Sequence, residues 1–155
     1  MSFSDALIVH AMQIAVMEHT GAKAEEVRGV CERRAVSAAY YALFHRITDR
    51  AAGMIAPNVP SEINHRIIRW FEHAEMKKVC GRFTQAKLDQ PLRDLIGDTA
   101  SFDLQKVASS FIELQEARHS ADYDLGYSLT TEEACRFIRV AVVAMGSWDQ
   151  IADSA

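Results

Sequence analysis

Two short stretches of this chain hold the residue types that bind phosphate, orient a charge or carry a proton. Arg118, His119, Asp122 and Tyr123 close one segment, and Ser37, Tyr41 and His45 interrupt another that is otherwise apolar. Arg118 and Asp122 stand four residues apart, the spacing at which two side chains meet on one face of a helix. An arginine presented at a helix end and oriented by a carboxylate suits a phosphate or an RNA backbone. The same pair would equally serve as a salt bridge holding the turn that follows. Ser37, Tyr41 and His45 lie at i, i+4 and i+8, so they share a face, with Tyr40 beside them. Buried polar groups need hydrogen-bond partners. A ligand pocket and a set of satisfied core residues account for them equally well.

A third set, His65, Arg69 and His73, has the same spacing, and Arg66 precedes His73 by seven positions. On a single long third helix this set reads as a solvated face. Two E-x-x-H motifs, Glu62 to His65 and Glu116 to His119, raise the alternative of a carboxylate-bridged di-iron bundle, which uses two such motifs and two further glutamates. Eleven Glu and six His yield roughly 0.4 such motifs by chance, so two is a small excess. No glutamate stands in the apolar stretches of the central or last helix to complete the set. No metal ligands are therefore assigned. The sequence has no glycine-rich phosphate loop, no G-x-S-x-G elbow and no H-E-x-x-H, and no cofactor is expected.

The elements that must position these residues read as helices of one domain over residues 1–155, a usual domain length. Apolar residues make up 49% and aromatics 8%, enough for a core and too many for a disordered chain. Seven glycines and three prolines suit long helices better than a strand-rich fold. Cys31, Cys80 and Cys135 are odd in number and far apart, so a disulfide framework is not expected, and a reducing cytoplasm fits. They read as small buried hydrophobes. Asp5 near the start, with no early Lys or Arg, predicts no leader segment. No stretch reaches the ~20 apolar residues of a membrane span.

The net charge of −4 is unevenly spread. Residues 23–93 hold 13 Lys/Arg against 8 Asp/Glu, and residues 94–155 hold 4 against 11. An acidic chain is a poor general binder of nucleic acid, whose affinity follows the phosphates neutralised, but a local basic face remains open to it.

Periodicity places a first helix at 5–18 with Ser4 as N-cap, and a central helix at 24–53 that is apolar nearly all round from Ala35 to Ile47. A third, capped by Ser61, is expected to run to about Arg82, burying Ile63, Ile67, Ile68, Trp70, Phe71 and Ala74. Residues 83–102 read as a connector with one short helix. A fourth helix covers 103–122, and a last one starts at the capping box Thr130-Thr131-Glu132-Glu133 and ends near Ala152. The expectation is an all-α, up-down bundle of four long helices plus a short first one.

The segment Arg33-Arg34-Ala35-Val36-Ser37-Ala38-Ala39-Tyr40-Tyr41-Ala42-Leu43-Phe44-His45 resembles the central helix of the HEPN superfamily, the nucleotide- and RNA-associated helical domains of prokaryotic defence and toxin systems. His65 and Phe71 resemble the family's H-x5-F stretch. Leu114, Arg118, Ala121, Asp122 and Tyr123 resemble its L-x3-R-x2-A-D-Y segment, and Thr131-Glu132-Glu133-Ala134 resembles the start of its last helix. The matches span roughly residues 30–145 in the family's order. The resemblance implies a helical bundle, commonly a homodimer. It also implies a nucleotidyltransferase-type protein as partner in a toxin–antitoxin or defence module, and RNA or a nucleotide as ligand. Active relatives cleave RNA with an arginine followed after four to six residues by a histidine. Here Asp122 stands near that histidine's place, and His119, adjacent to Arg118, points elsewhere on the helix. The departure favours a binding module, with Arg118, Asp122, Tyr123, Ser37, Tyr41 and His45 lining its site. Cleavage would fall to Arg118 as phosphate stabiliser and His119 or His45 as proton carrier.

Overall fold

Capping residues and breaks in apolar phase cut the chain into seven helices in the computed structural model, which describes residues 1–154. They are α1 (Phe3–Ala15), α2 (Ala24–Ile55), α3 (Ser61–Ile68), α4 (His73–Phe83), α5 (Gln90–Ile96), α6 (Phe102–Tyr123) and α7 (Thr131–Asp153). No strand occurs among the described residues, and the all-helical expectation holds. None of the helices is long and apolar enough to cross a membrane.

The central helix α2 packs against α1, α3, α6 and α7, and α6 packs against α4 and α7. Its alanines explain how it serves so many neighbours. Ala35, Ala39 and Ala42 are fully buried, and Ala11 of α1, Ala108 of α6 and Ala141 of α7 on the neighbouring helices are buried too. Small side chains let backbones approach closely, while Leu43, Phe111, Leu114 and Ile138 fill the spaces between. Each of these larger groups contributes about 1.5–3 kcal/mol by leaving water. One apolar cluster runs through α1, α2, α4, α6 and α7.

Capping sets several boundaries. Thr130 and Glu133 form the expected reciprocal box at α7. Ser101 caps α6, and Asp89 caps α5, whose first turn carries Pro91. At α1 the cap is Ser2, which forms a box with Asp5, and Ser4 is a buried residue inside the helix. Ser61 is the first helical residue of α3, with Pro60 in the cap position.

The expected third helix is two helices. Ile67 is buried beside α2, whereas Met76 and Cys80 are buried beside α6. Ile67 and Met76 are nine residues apart, which is two and a half turns at 3.6 residues per turn. On one straight helix they would point in opposite directions. The break over Arg69–Glu72, where Trp70 and Phe71 donate to Ile67 and Ile68, lets each half bury its own apolar residues. Of the apolar set expected there only Ile67 is buried; Ile63, Trp70 and Ala74 are exposed. All three cysteines are free, Cys80 buried and Cys31 and Cys135 half-buried.

Candidate functional site

Where α2 crosses the last two turns of α6, four side chains from the two chemistry-bearing segments close a ring. The Ser37 hydroxyl donates to Asp122 Oδ1 at 2.6 Å. Asp122 Oδ2 lies 2.8 Å from Arg118 Nε. Arg118 Nη2 donates to the Tyr41 hydroxyl at 3.0 Å, and Tyr41 stands one turn from Ser37 on α2. The Arg118 and Asp122 side chains are only 17% and 16% exposed, so the ion pair is shielded far more than an ordinary surface pair. The exposed Arg34 adds a second, more distant charge to Asp122 at 3.6 Å.

Three tyrosine rings surround the guanidinium. Its central carbon lies 5.9 Å from the ring centre of Tyr40, 5.5 Å from Tyr41 and 5.6 Å from Tyr123. Aromatic faces attract a cation at these distances. Arg118 Nη2 donates to Tyr41, while its buried Nε makes no hydrogen bond although Asp122 Oδ2 is close. The guanidinium is held by that one hydrogen bond, the Asp122 charge and the three rings.

The turn after α6 is tied down from α2. Arg33 donates to the carbonyls of Ala121 and Leu125, both at 3.1 Å, and to that of Tyr127. The first satisfies a carbonyl of the last turn of α6 that has no intrahelical partner, and the other two anchor the turn that follows. They hold Asp122 and Tyr123 against Ser37 and Arg118.

His73, at the first position of α4, completes the interior side. Its Nδ1 is 2.5 Å from the hydroxyl of fully buried Tyr40, and its ring packs on Phe44 with centres 4.1 Å apart. Gln115 of α6 donates to the His73 carbonyl at 2.9 Å. Burial, then the Arg118 charge and His45, hold the His73 pKa below its ordinary value, so the imidazole is neutral at pH 7. Burial also raises the Tyr40 pKa, keeping the phenol protonated. The expectation that His73 belongs to a solvated face of one long helix is corrected by this placement. No glycine or proline marks the break that relocates it; the separate packing of Ile67 and Met76 does so.

His119 and Arg118 border one groove of about 540 Å³, with Lys77 and Lys78 of α4 and Gln115 on its walls. The groove is wide enough for adjacent positions of α6 to share it, and the exposed His119 ring lies 5.0 Å from that of Tyr123. Lys77 pairs with Glu116 at 3.0 Å and Lys78 with Glu75 at 2.5 Å, both as surface pairs.

His45 is not brought into the ring. Its side chain sits between Phe3 and Phe44, with ring centres 5.0 and 5.5 Å away, and borders a separate depression with Asp49, His65 and Arg69. Phe3 of α1 covers this part of α2, which the helix spacing alone does not reveal. Burial lowers the His45 pKa, against a smaller opposing effect of Asp49.

The two E-x-x-H motifs stay apart. Glu62 and His65 lie on α3, which packs on α2 alone, while Glu116 and His119 lie on α6. Among the described residues no three His, Cys, Asp or Glu side chains converge to hold a metal ion. No protein-family model matches this chain, and no curated protein or solved structure matches it.

Proposed function

We propose that this chain is a HEPN-type module that binds RNA or a nucleotide through phosphate at Arg118. On this reading it is the HEPN half of a toxin–antitoxin or defence pair, a homodimer with a nucleotidyltransferase as partner protein. The observation that carries the reading is the immobilised guanidinium. Asp122 pairs with it, Tyr41 accepts from its Nη2, three tyrosine rings surround it, and it borders a groove that also carries Lys77, Lys78, Glu116 and His119. An oriented arginine keeps less rotamer entropy to lose on binding, and its remaining N–H groups match two phosphate oxygens. Lys77 and Lys78 stand beside it; their surface pairs with Glu116 and Glu75 are weak enough to open, which frees their charge for a phosphate. The tyrosine faces, Tyr123 being exposed, offer a base a surface to stack on. The HEPN-like motifs support the same assignment, since Ser37, Tyr41, Arg118, Asp122 and Tyr123 all come from the two segments that carry the resemblance.

The second reading is a metal-independent ribonuclease. The position of His119 on the same groove as Arg118 favours it. Incubating a mixed RNA pool with the protein in EDTA, beside Arg118→Ala, separates the two. Intact RNA that is retained by the wild type and released by the variant supports the binding module. Cleavage that disappears in Arg118→Ala establishes the ribonuclease. RNA and nucleotides left unbound and uncut refute both. Lys77→Ala with Lys78→Ala should weaken binding of all sequences alike and reduce the salt slope by about 0.7 for each phosphate of a single strand that the lysines no longer neutralise.

A further inference from the structure

Of the two helices that border the Arg118 groove, α4 is the less secured. Among the described residues it packs on α6 and on no other helix, and an apolar cleft of about 290 Å³ lies between it and Ile47 of α2 and Trp148 of α7. Sparse packing makes such a segment the first to open. Its first turn is tied to α2 by His73, the first helical residue. The ring meets the Tyr40 hydroxyl at 2.5 Å and packs on Phe44, and Gln115 of α6 donates to the His73 carbonyl. Lys77 and Lys78, the cations that α4 brings to the groove, follow one turn later.

The tie needs a neutral imidazole. His73 Nδ1 is the one hydrogen-bond partner of the Tyr40 hydroxyl among the described residues, so the phenol donates and the ring nitrogen accepts. A charged ring carries a hydrogen on both nitrogens and cannot accept. The surroundings oppose the charge as well. Burial, Arg118 of α6 and His45 of α2 all disfavour it. Tyr40 and Tyr41 are the other titratable groups of α2 against the ring. On α4 itself, Lys77 pairs with Glu116 and Lys78 with Glu75, and Glu72 is exposed to water. The positive end of the helix dipole also falls at His73.

We infer that His73 is an acid-sensitive latch on the Arg118 groove: a proton on its ring releases the first turn of α4 from Tyr40 and draws Lys77 and Lys78 away from Arg118. The release of α4 stands on its own, and its effect on ligands rests on the phosphate-binding reading. The sign follows from linkage. The seated ring takes a proton less readily than a ring in water, so acid favours the released helix. At pH 5.5, one unit below the free imidazole's pKa of about 6.5, the shift is limited to about tenfold. Charge counting alone predicts the opposite for a bound anion, because His73 and the groove residue His119 both become more positive in acid.

Amide hydrogen exchange of the full chain, corrected for intrinsic rates, is followed by NMR at pH 7.5 and 5.5. Protection of the α4 amides from Met76 to Cys80 should fall by about tenfold in acid, and by more than that of Leu114 and Ala117 in α6. The second readout is affinity for a rhodamine-labelled oligouridylate without a terminal phosphate, whose charge is constant over this range. It should fall by about two- to tenfold. In His73→Asn, whose amide takes the place of Nδ1 and does not titrate, both losses should vanish and acid should tighten binding through His119. If that variant does not fold, the wild type decides: the loss of α4 protection and the titration of the His73 ring protons must share one midpoint. Protection of α4 that holds at pH 5.5 or falls only in step with α6, losses that persist in His73→Asn, or wild-type RNA affinity that rises in acid overturns the inference. Absence of RNA binding at pH 7.5 would instead refute the phosphate-binding reading, and the exchange data would still judge the release of α4.

Discussion

If the ring joining Ser37, Asp122, Arg118 and Tyr41 positions the arginine, the Arg118–Asp122 pair must be strongly coupled. At 2.8 Å the gross attraction is about 6 kcal/mol with an effective dielectric of about 20. Desolvation of two side chains that are 17% and 16% exposed cancels a large part of it. The pair lies between an exposed one, whose coupling is about 0.2–1 kcal/mol, and a fully buried one, whose breaking costs about 3–5 kcal/mol. We expect a coupling of about 2 kcal/mol. The cycle compares wild type, Arg118→Met, Asp122→Ala and the double variant by urea unfolding. Methionine preserves the packing of the arginine stem among Tyr40, Tyr41 and Tyr123. Asp122→Ala alone should be the most destabilising single change, because it also strands the Ser37 hydroxyl. A coupling below about 0.5 kcal/mol, the scatter of independent sites, would refute the claim that Asp122 holds Arg118. RNA affinity gives the same test a functional face. Removing Asp122 deletes a negative charge, so charge counting predicts tighter binding. Positioning predicts weaker binding, and that is the expected result.

Three further outcomes follow from the same geometry. Tyr40→Phe leaves His73 Nδ1 without its partner inside the core and should cost about 1–3 kcal/mol in urea unfolding. Stability should fall as pH drops below 6.5. The folded-state pKa values of His73 and His45 are depressed, so the unfolded chain binds more protons from 6.5 down to those values. Unfolding midpoints at pH 7.5 and 5.5 measure the loss, and His73→Gln should reduce the difference. Thr130→Ala removes one half of the α7 capping box and should cost about 1 kcal/mol, whereas Glu132→Gln, at a neighbour that takes no part in the box, should cost almost nothing.

The helices are legible in the sequence wherever an apolar stripe keeps one phase. α6 and α7 have a single buried face, and their expected limits fall within a residue or two of the observed ones. The break between α3 and α4 is hidden because no glycine or proline marks it; the sequence around Arg69–Glu72 has neither. Only tertiary packing, with Ile67 on one partner and Met76 on another, stops the helix there. The site shows the same division. Ser37 and Tyr41 share a face of α2, and Arg118 and Asp122 a face of α6, and periodicity finds both pairs. Their meeting is a contact between residues 77 and 85 positions apart, which no local pattern encodes. His45 follows the same spacing as Tyr41 yet lies under Phe3, because α1 covers that end of the face.

Three histidines are candidates to move a proton to or from a phosphate bound at Arg118, and their surroundings decide among them. His73 is wedged among Phe44, Tyr40 and Tyr41, with one ring nitrogen engaged by Tyr40. His45 faces Phe3 and a different depression. His119 is exposed, borders the Arg118 groove and rests on Tyr123, where a histidine can exchange protons with solvent and ligand alike. His119→Gln is therefore the sharpest single variant at this site. The change keeps a polar side chain of similar reach and removes only the titrating ring. In a binding module it should leave RNA or nucleotide affinity within about threefold, since one exposed contact is worth little. In a ribonuclease it should lower the cleavage rate by about 10²- to 10⁴-fold at unchanged affinity, as loss of a general acid or base does. Cleavage that persists undiminished in His119→Gln would exclude this histidine and leave the arginine with no proton carrier on its own groove.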